Sequence, residues 1–120
     1  MIDNIKLVDF GSAYHFDPDS KEPLFEMAGA PHYCSPEMLG GKGYDQRTDV
    51  WSCGVVFHFL LTGSSPFDGK TDIEIMHRIQ TTEINFLGSR YSQCDKGALK
   101  LLKSMLSKDP ECRITASLAR

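Results

Sequence analysis

The sequence predicts a mainly α chain with a short strand at its N-terminus, a long aperiodic loop and about four helices. Three observations carry this expectation. Apolar residues recur densely from about Gln46 to Thr62, Asp72 to Thr82 and Lys96 to Ser107. A single short branched-apolar run, residues 5–8, reads as strand. Between Ser12 and Pro31 periodicity is lost and Asp17, Pro18, Asp19, Ser20, Lys21, Glu22 and Pro23 collect.

Ile5-Lys6-Leu7-Val8 is expected to run as a strand into a turn at Asp9-Phe10-Gly11. The polar stretch after it is a long loop, and such loops in small domains are usually functional or mobile. A short helical turn is expected over Pro36–Leu39, broken by Gly40-Gly41-Lys42-Gly43. The strongest helix begins after Asp45, a suitable N-cap, and stops at Gly63. Val50, Trp51, Val55, Val56, Phe57, Phe59, Leu60 and Leu61 occupy nearly every face of it, so burial on all sides is expected. In the next helix Ile73, Ile75, Met76 and Ile79 make the apolar stripe. In the one after, Leu99, Leu101, Leu102, Met105 and Leu106 are apolar, and Lys100, Lys103 and Lys108 are expected to be exposed. A further helix should begin near Thr115.

With 120 residues, 41% of them hydrophobic, the chain has the means for one modest core. The formal charge of −3 is uneven: residues 1–60 carry nine acids and four bases, residues 61–120 seven acids and nine bases. Neither half is basic enough to point to nucleic acid. Cys34, Cys53, Cys94 and Cys112 show no zinc-like spacing, and scattered thiols fit an intracellular, cytoplasmic protein. The longest apolar run, Val55–Leu61, is interrupted by His58 and falls far short of the roughly 18 residues of a membrane span.

Three ordered motifs stand out. Asp9-Phe10-Gly11 by itself is equally what a strand followed by a glycine turn looks like. The second, Gly29-Ala30-Pro31-His32-Tyr33-Cys34-Ser35-Pro36-Glu37, ends 26 residues after Gly11. The third is Asp49-Val50-Trp51-Ser52-Cys53-Gly54, and Arg113 follows in Asp109-Pro110-Glu111-Cys112-Arg113. Two decoys do not hold. Gly69-Lys70-Thr71 lacks the earlier P-loop glycine, because Ser64 stands there, and His77-Arg78-Ile79 lacks an aspartate.

In this order the motifs resemble the C-lobe part of a eukaryotic serine/threonine protein kinase catalytic domain. The runs Leu60–Gly69 and Met105–Pro110 are similar in texture to calcium/calmodulin-type and calcium-dependent kinases. The resemblance implies a partial kinase domain over 1–120: strand and Asp-Phe-Gly at 5–11, activation segment at 12–37, helical subdomain at 45–120. It implies ATP and Mg²⁺ as cofactors of the complete domain, with Asp9 as metal ligand and Phe10 and Gly11 setting its geometry. Gly29, Ala30, Pro31 and Tyr33 would form the shelf for the substrate residue after the phosphoacceptor. Ala30 stands where the family carries a threonine that helps hold the catalytic aspartate and lysine.

Glu37 and Arg113 would form a structural ion pair, the alternative being an Arg113 solvated in a loop. Asp49, beside Trp51 in the central helix, would accept N–H bonds from a catalytic loop that these residues do not include. It also suits the dipole of a helix first turn. Glu26 occupies the position where a regulatory phosphate is usual, and Ser20 is a second candidate for regulation; both are equally read as solvated loop residues. Eight residues precede Asp9, which leaves no space for a glycine-rich loop, the phosphate-pairing lysine or the H-R-D base, so the chain alone is expected to be inactive. Expected partners are a protein substrate and a regulatory domain outside this chain. A non-catalytic docking module and an unrelated helical protein are the competing readings.

Overall fold

Arg47–Thr62 (α2) is the spine of the computed structural model, which describes residues 4–120. Around it stand Pro36–Gly40 (α1), Asp72–Thr81 (α3) and Lys96–Met105 (α4), with single 3-10 turns at Phe10–Ser12, Pro31–Tyr33 and Ser89–Tyr91. The described residues are mainly helical, and their only β pairing is an antiparallel bridge between Leu24 and Tyr44. No helix among them is long and apolar enough to cross a membrane.

Local chemistry explains most helix starts. Ser35 caps α1, its hydroxyl accepting from the Met38 N–H, with Pro36 suited to the first helical position. Asp45 accepts from the Arg47 N–H at 3.0 Å and so satisfies a donor at the entrance to α2. Thr71 and Asp95 cap α3 and α4 at 3.2 and 2.9 Å. The Gly63 N–H returns to the Phe59 carbonyl and closes α2.

α2 packs against α4, and α1 against α3. The core joins Trp51 and Val55 of α2, Phe67 from the connection between α2 and α3, Ile75 and Ile79 of α3, Leu102 of α4, and Leu106 just after it. Trp51 stacks on Phe67 with ring centroids 5.9 Å apart. Gly54 lets α2 and α4 close up: a Cβ there would lie 2.9 Å from Leu106 Cδ2 and 3.0 Å from Met105 Cβ.

Five sequence expectations are corrected. Residues 5–8 form no strand: Ile5, Leu7 and Val8 are more than three-quarters exposed, and no neighbouring strand among the described residues offers them backbone partners. Thr115–Ala119 makes only a single turn, too few residues to offset helix nucleation. α2 is not buried all round. Val56, Phe59 and Leu60 are 47%, 56% and 75% exposed, because the described residues supply partners on one side only. Ile73 leaves the stripe of α3 for solvent, since two residues from Ile75 is more than half a turn. Lys108 is not exposed: its Nζ is buried near the Phe67 ring and 3.7 Å from Glu83 Oε1.

Candidate functional site

Asp9 is the only non-glycine among the described residues with positive φ, at φ 62° and ψ 78°. Aspartate tolerates this left-handed region better than most side chains, and departures of this kind gather at functional turns. The bend tips the chain into the Phe10–Ser12 turn, with Asp9 Oδ1 a long 3.4 Å from the Gly11 N–H. Asp9, Phe10 and Gly11 are all exposed.

Beyond the turn lies a cleft of about 320 Å³ lined by Ser12, Tyr14, Tyr33, Tyr44, Asp49 and Ser52, among others. Gly29 and Ala30 also border it, and Pro31–Tyr33 is fixed from beneath. There the Ser52 hydroxyl donates to the Tyr33 carbonyl at 2.8 Å. Cys34 is buried with its thiol toward the Ala28 and Ala30 carbonyls, and burial pushes that thiol above its ordinary range. Asp49 sits in the first turn of α2, exposed to the cleft, with no side-chain partner among the described residues.

Glu37 and Arg113 meet behind the cleft. The guanidinium donates through both terminal nitrogens to both carboxylate oxygens, at 2.6 and 2.9 Å. The same Arg113 donates to the Ser107 and Arg47 carbonyls and lies 5.3 Å from the Trp51 ring centroid. Burial raises the Glu37 pKa, but the hydrogen bonds from Arg113, the Glu37 backbone N–H and Ser35, together with the Arg113 charge, outweigh it and hold the carboxyl below its ordinary range.

The structure thus gathers Gly29, Ala30, Tyr33 and Asp49 at one cleft and Glu37, Arg113 and Trp51 in one buried cluster. It leaves Asp9 outside both. Ser20 only turns its own loop, accepting from the Glu22 N–H at 3.2 Å. The Glu26 carboxylate meets no cation among the described residues; its backbone carbonyl accepts from the Tyr44 hydroxyl.

Sequence reasoning missed Tyr44, Thr48 and His58. The Ser35 and Thr48 hydroxyls bond at 2.8 Å inside the core. His58 is fully buried, its Nδ1 donating to the Ser64 carbonyl and its Nε2 accepting from the Tyr91 hydroxyl, both at 2.8 Å. Nothing local signals these partners, except that a histidine at a core position of a helix demands some.

No group of three or more potential metal-ligating side chains occurs among the described residues. Asp9 presents a single exposed carboxylate, a hard oxygen donor of the kind that would fill one position on Mg²⁺ while phosphates and water fill the others.

A family model described as protein kinase domain matches residues 1–120. The chain is 38% identical over 115 residues to calcium-dependent protein kinase 3 of Plasmodium berghei, covering 96% of this chain and 20% of that protein. It is 35% identical over 112 residues to calcium-dependent protein kinase 25 of Arabidopsis thaliana, covering 93% and 21%. For calcium-dependent protein kinase 4 of Plasmodium falciparum the identity is 33% over 112 residues, with 93% and 21% covered. The chain therefore spans about a fifth of the length of these curated relatives.

Proposed function

Since this chain belongs to the protein kinase family, we propose that it is the helical part of a serine/threonine kinase whose complete domain transfers phosphate from ATP to protein substrates. The observation that carries this reading is Asp9 in a left-handed turn within Asp9-Phe10-Gly11, followed in order by the other two motifs.

Each residue set has a proposed role. Asp9 offers its outward carboxylate as one position on Mg²⁺, an ion that neutralises charge on the transferring phosphate when bound. Phe10 and Gly11 shape that turn. Gly29–Tyr33, held by the Ser52 bond to the Tyr33 carbonyl, is the shelf for the substrate chain. Glu37 and Arg113 lock the shelf to the helices. Glu26 and Ser20 are the proposed regulatory positions of the loop. These residues contain no H-R-D base, so the isolated chain is proposed to be inactive, with any calcium control residing in sequence outside it. The proposed setting is cytoplasmic, with a protein substrate, an external regulatory domain and no nucleic acid.

The test is a chimera: this chain replaces the matching 115 residues of the Plasmodium berghei relative. Phosphate transfer to a peptide that disappears on Asp9→Asn supports the enzyme reading, while the isolated chain shows none. Ala30 favours a second reading, a docking module without activity, because it lacks the family's threonine hydroxyl. A folded chimera that stays inactive even after Ala30→Thr would establish that second reading.

A further inference from the structure

Residues 23–26 of the loop are fastened to residues 43–44 by contacts that need no modification. Leu24 and Tyr44 exchange both backbone hydrogen bonds, at 2.8 and 2.9 Å, and the Tyr44 hydroxyl adds a third to the Glu26 carbonyl. Gly43 makes the approach feasible: its φ is +88°, and a Cβ there would stand 2.7 Å from Pro23 Cβ. The fastening ties the irregular segment before α1 to the connection between α1 and α2.

From these contacts we propose that Gly43 and Tyr44 form a built-in clasp that holds the loop in its docked form and sets the width of the cleft. Leu24 and Tyr44 both line that cleft, as do Tyr33 and Asp49, so releasing the clasp frees the loop edge of the wall facing α2. The Tyr44 hydroxyl is the trigger, because it ties the clasp one step further along the loop, to Glu26. Glu26 acts here through its carbonyl, so its charge is not what keeps the loop in place. The regulatory meaning of the clasp rests on reading residues 12–37 as an activation segment; the clasp itself does not.

Hydrogen exchange on the 120-residue chain separates the two, since it requires no kinase activity. The Leu24 and Tyr44 amides should be protected, and Tyr44→Phe should speed Leu24 exchange by about tenfold while leaving α4 amides unchanged. Gly43→Val should speed both amides, and Glu26→Gln should change neither. Unprotected Leu24 and Tyr44 amides in the unaltered chain would overturn the proposal. So would protection that survives both Tyr44→Phe and Gly43→Val, or a loss caused by Glu26→Gln. Should Gly43→Val unfold the chain, seen as lost α4 protection, Tyr44→Phe alone decides.

Discussion

Arg113 grips Glu37 through two parallel hydrogen bonds, of 2.6 and 2.9 Å, across 76 residues of sequence. With the Ser107 and Arg47 carbonyls also accepting from it, one side chain joins α1, the start of α2 and the segment after α4.

Arg113→Ala leaves the Glu37 carboxylate buried without its counter-charge, at a cost of about 3–5 kcal/mol. Small domains hold only about 5–15 kcal/mol in total, so the variant should lose its cooperative transition in a circular dichroism melt. An unchanged melt would sink the structural role of the pair. Acid acts in the same direction. The Glu37 carboxyl titrates below its ordinary 4.5, so stability present above that pH is lost as the pH falls through the folded-state value.

Ser35→Ala removes a cap from α1 and strands the buried Thr48 hydroxyl, which should lower stability by about 1–3 kcal/mol in urea unfolding. Adding Thr48→Val removes the stranded group. The double variant should therefore recover part of the loss, and a purely additive result would show that the hydroxyl pair is not coupled.

His58 should make the chain acid-sensitive well above the carboxylate range. Burial lowers its pKa below the ordinary 6.5; the Ser64 carbonyl opposes this shift, Arg90 adds to it and Asp68 opposes it. Below 6.5 the unfolded chain takes up the proton first, so stability present above that pH declines as the pH falls toward the folded-state value. Urea midpoints at about pH 7.5 and about pH 5.5 should differ, and His58→Phe should shrink the difference. An equal difference in the variant would assign the sensitivity elsewhere.

The outer face of α2 should drive self-association. Phe59 and Leu60 are exposed beside Val56, and a contiguous apolar surface of this kind favours contact with another molecule. Sedimentation should show oligomers at high protein concentration, reduced in a Phe59→Lys, Leu60→Glu variant. A monomer throughout would remove the face from consideration.

The helices were legible because their information is local. Leu99, Leu102 and Met105 state the inward side of α4, on which Leu102 and Met105 are buried. The apparent strand at 5–8 failed for the converse reason: branched residues describe a fit to neighbours, and none of the described residues provides them. The resemblance to protein kinases implied that Glu37 and Arg113 belong together, and the geometry displays the contact. Tyr44 and His58 were illegible, because their partners Leu24, Glu26 and Tyr91 lie 18 to 33 residues away without any pattern linking them. A cleft walled in part by Leu24 and Tyr44 cannot be read from spacing.

Trp51 is the sequence's single tryptophan, fully buried, stacked on Phe67 and approached by the Arg113 guanidinium. Its fluorescence consequently arises from one chromophore seated where α1, α2 and the segment after α4 converge. The emission maximum is an intrinsic optical gauge of that junction. A red shift that precedes the loss of helical dichroism would mark the moment the guanidinium lets go while the helices still stand.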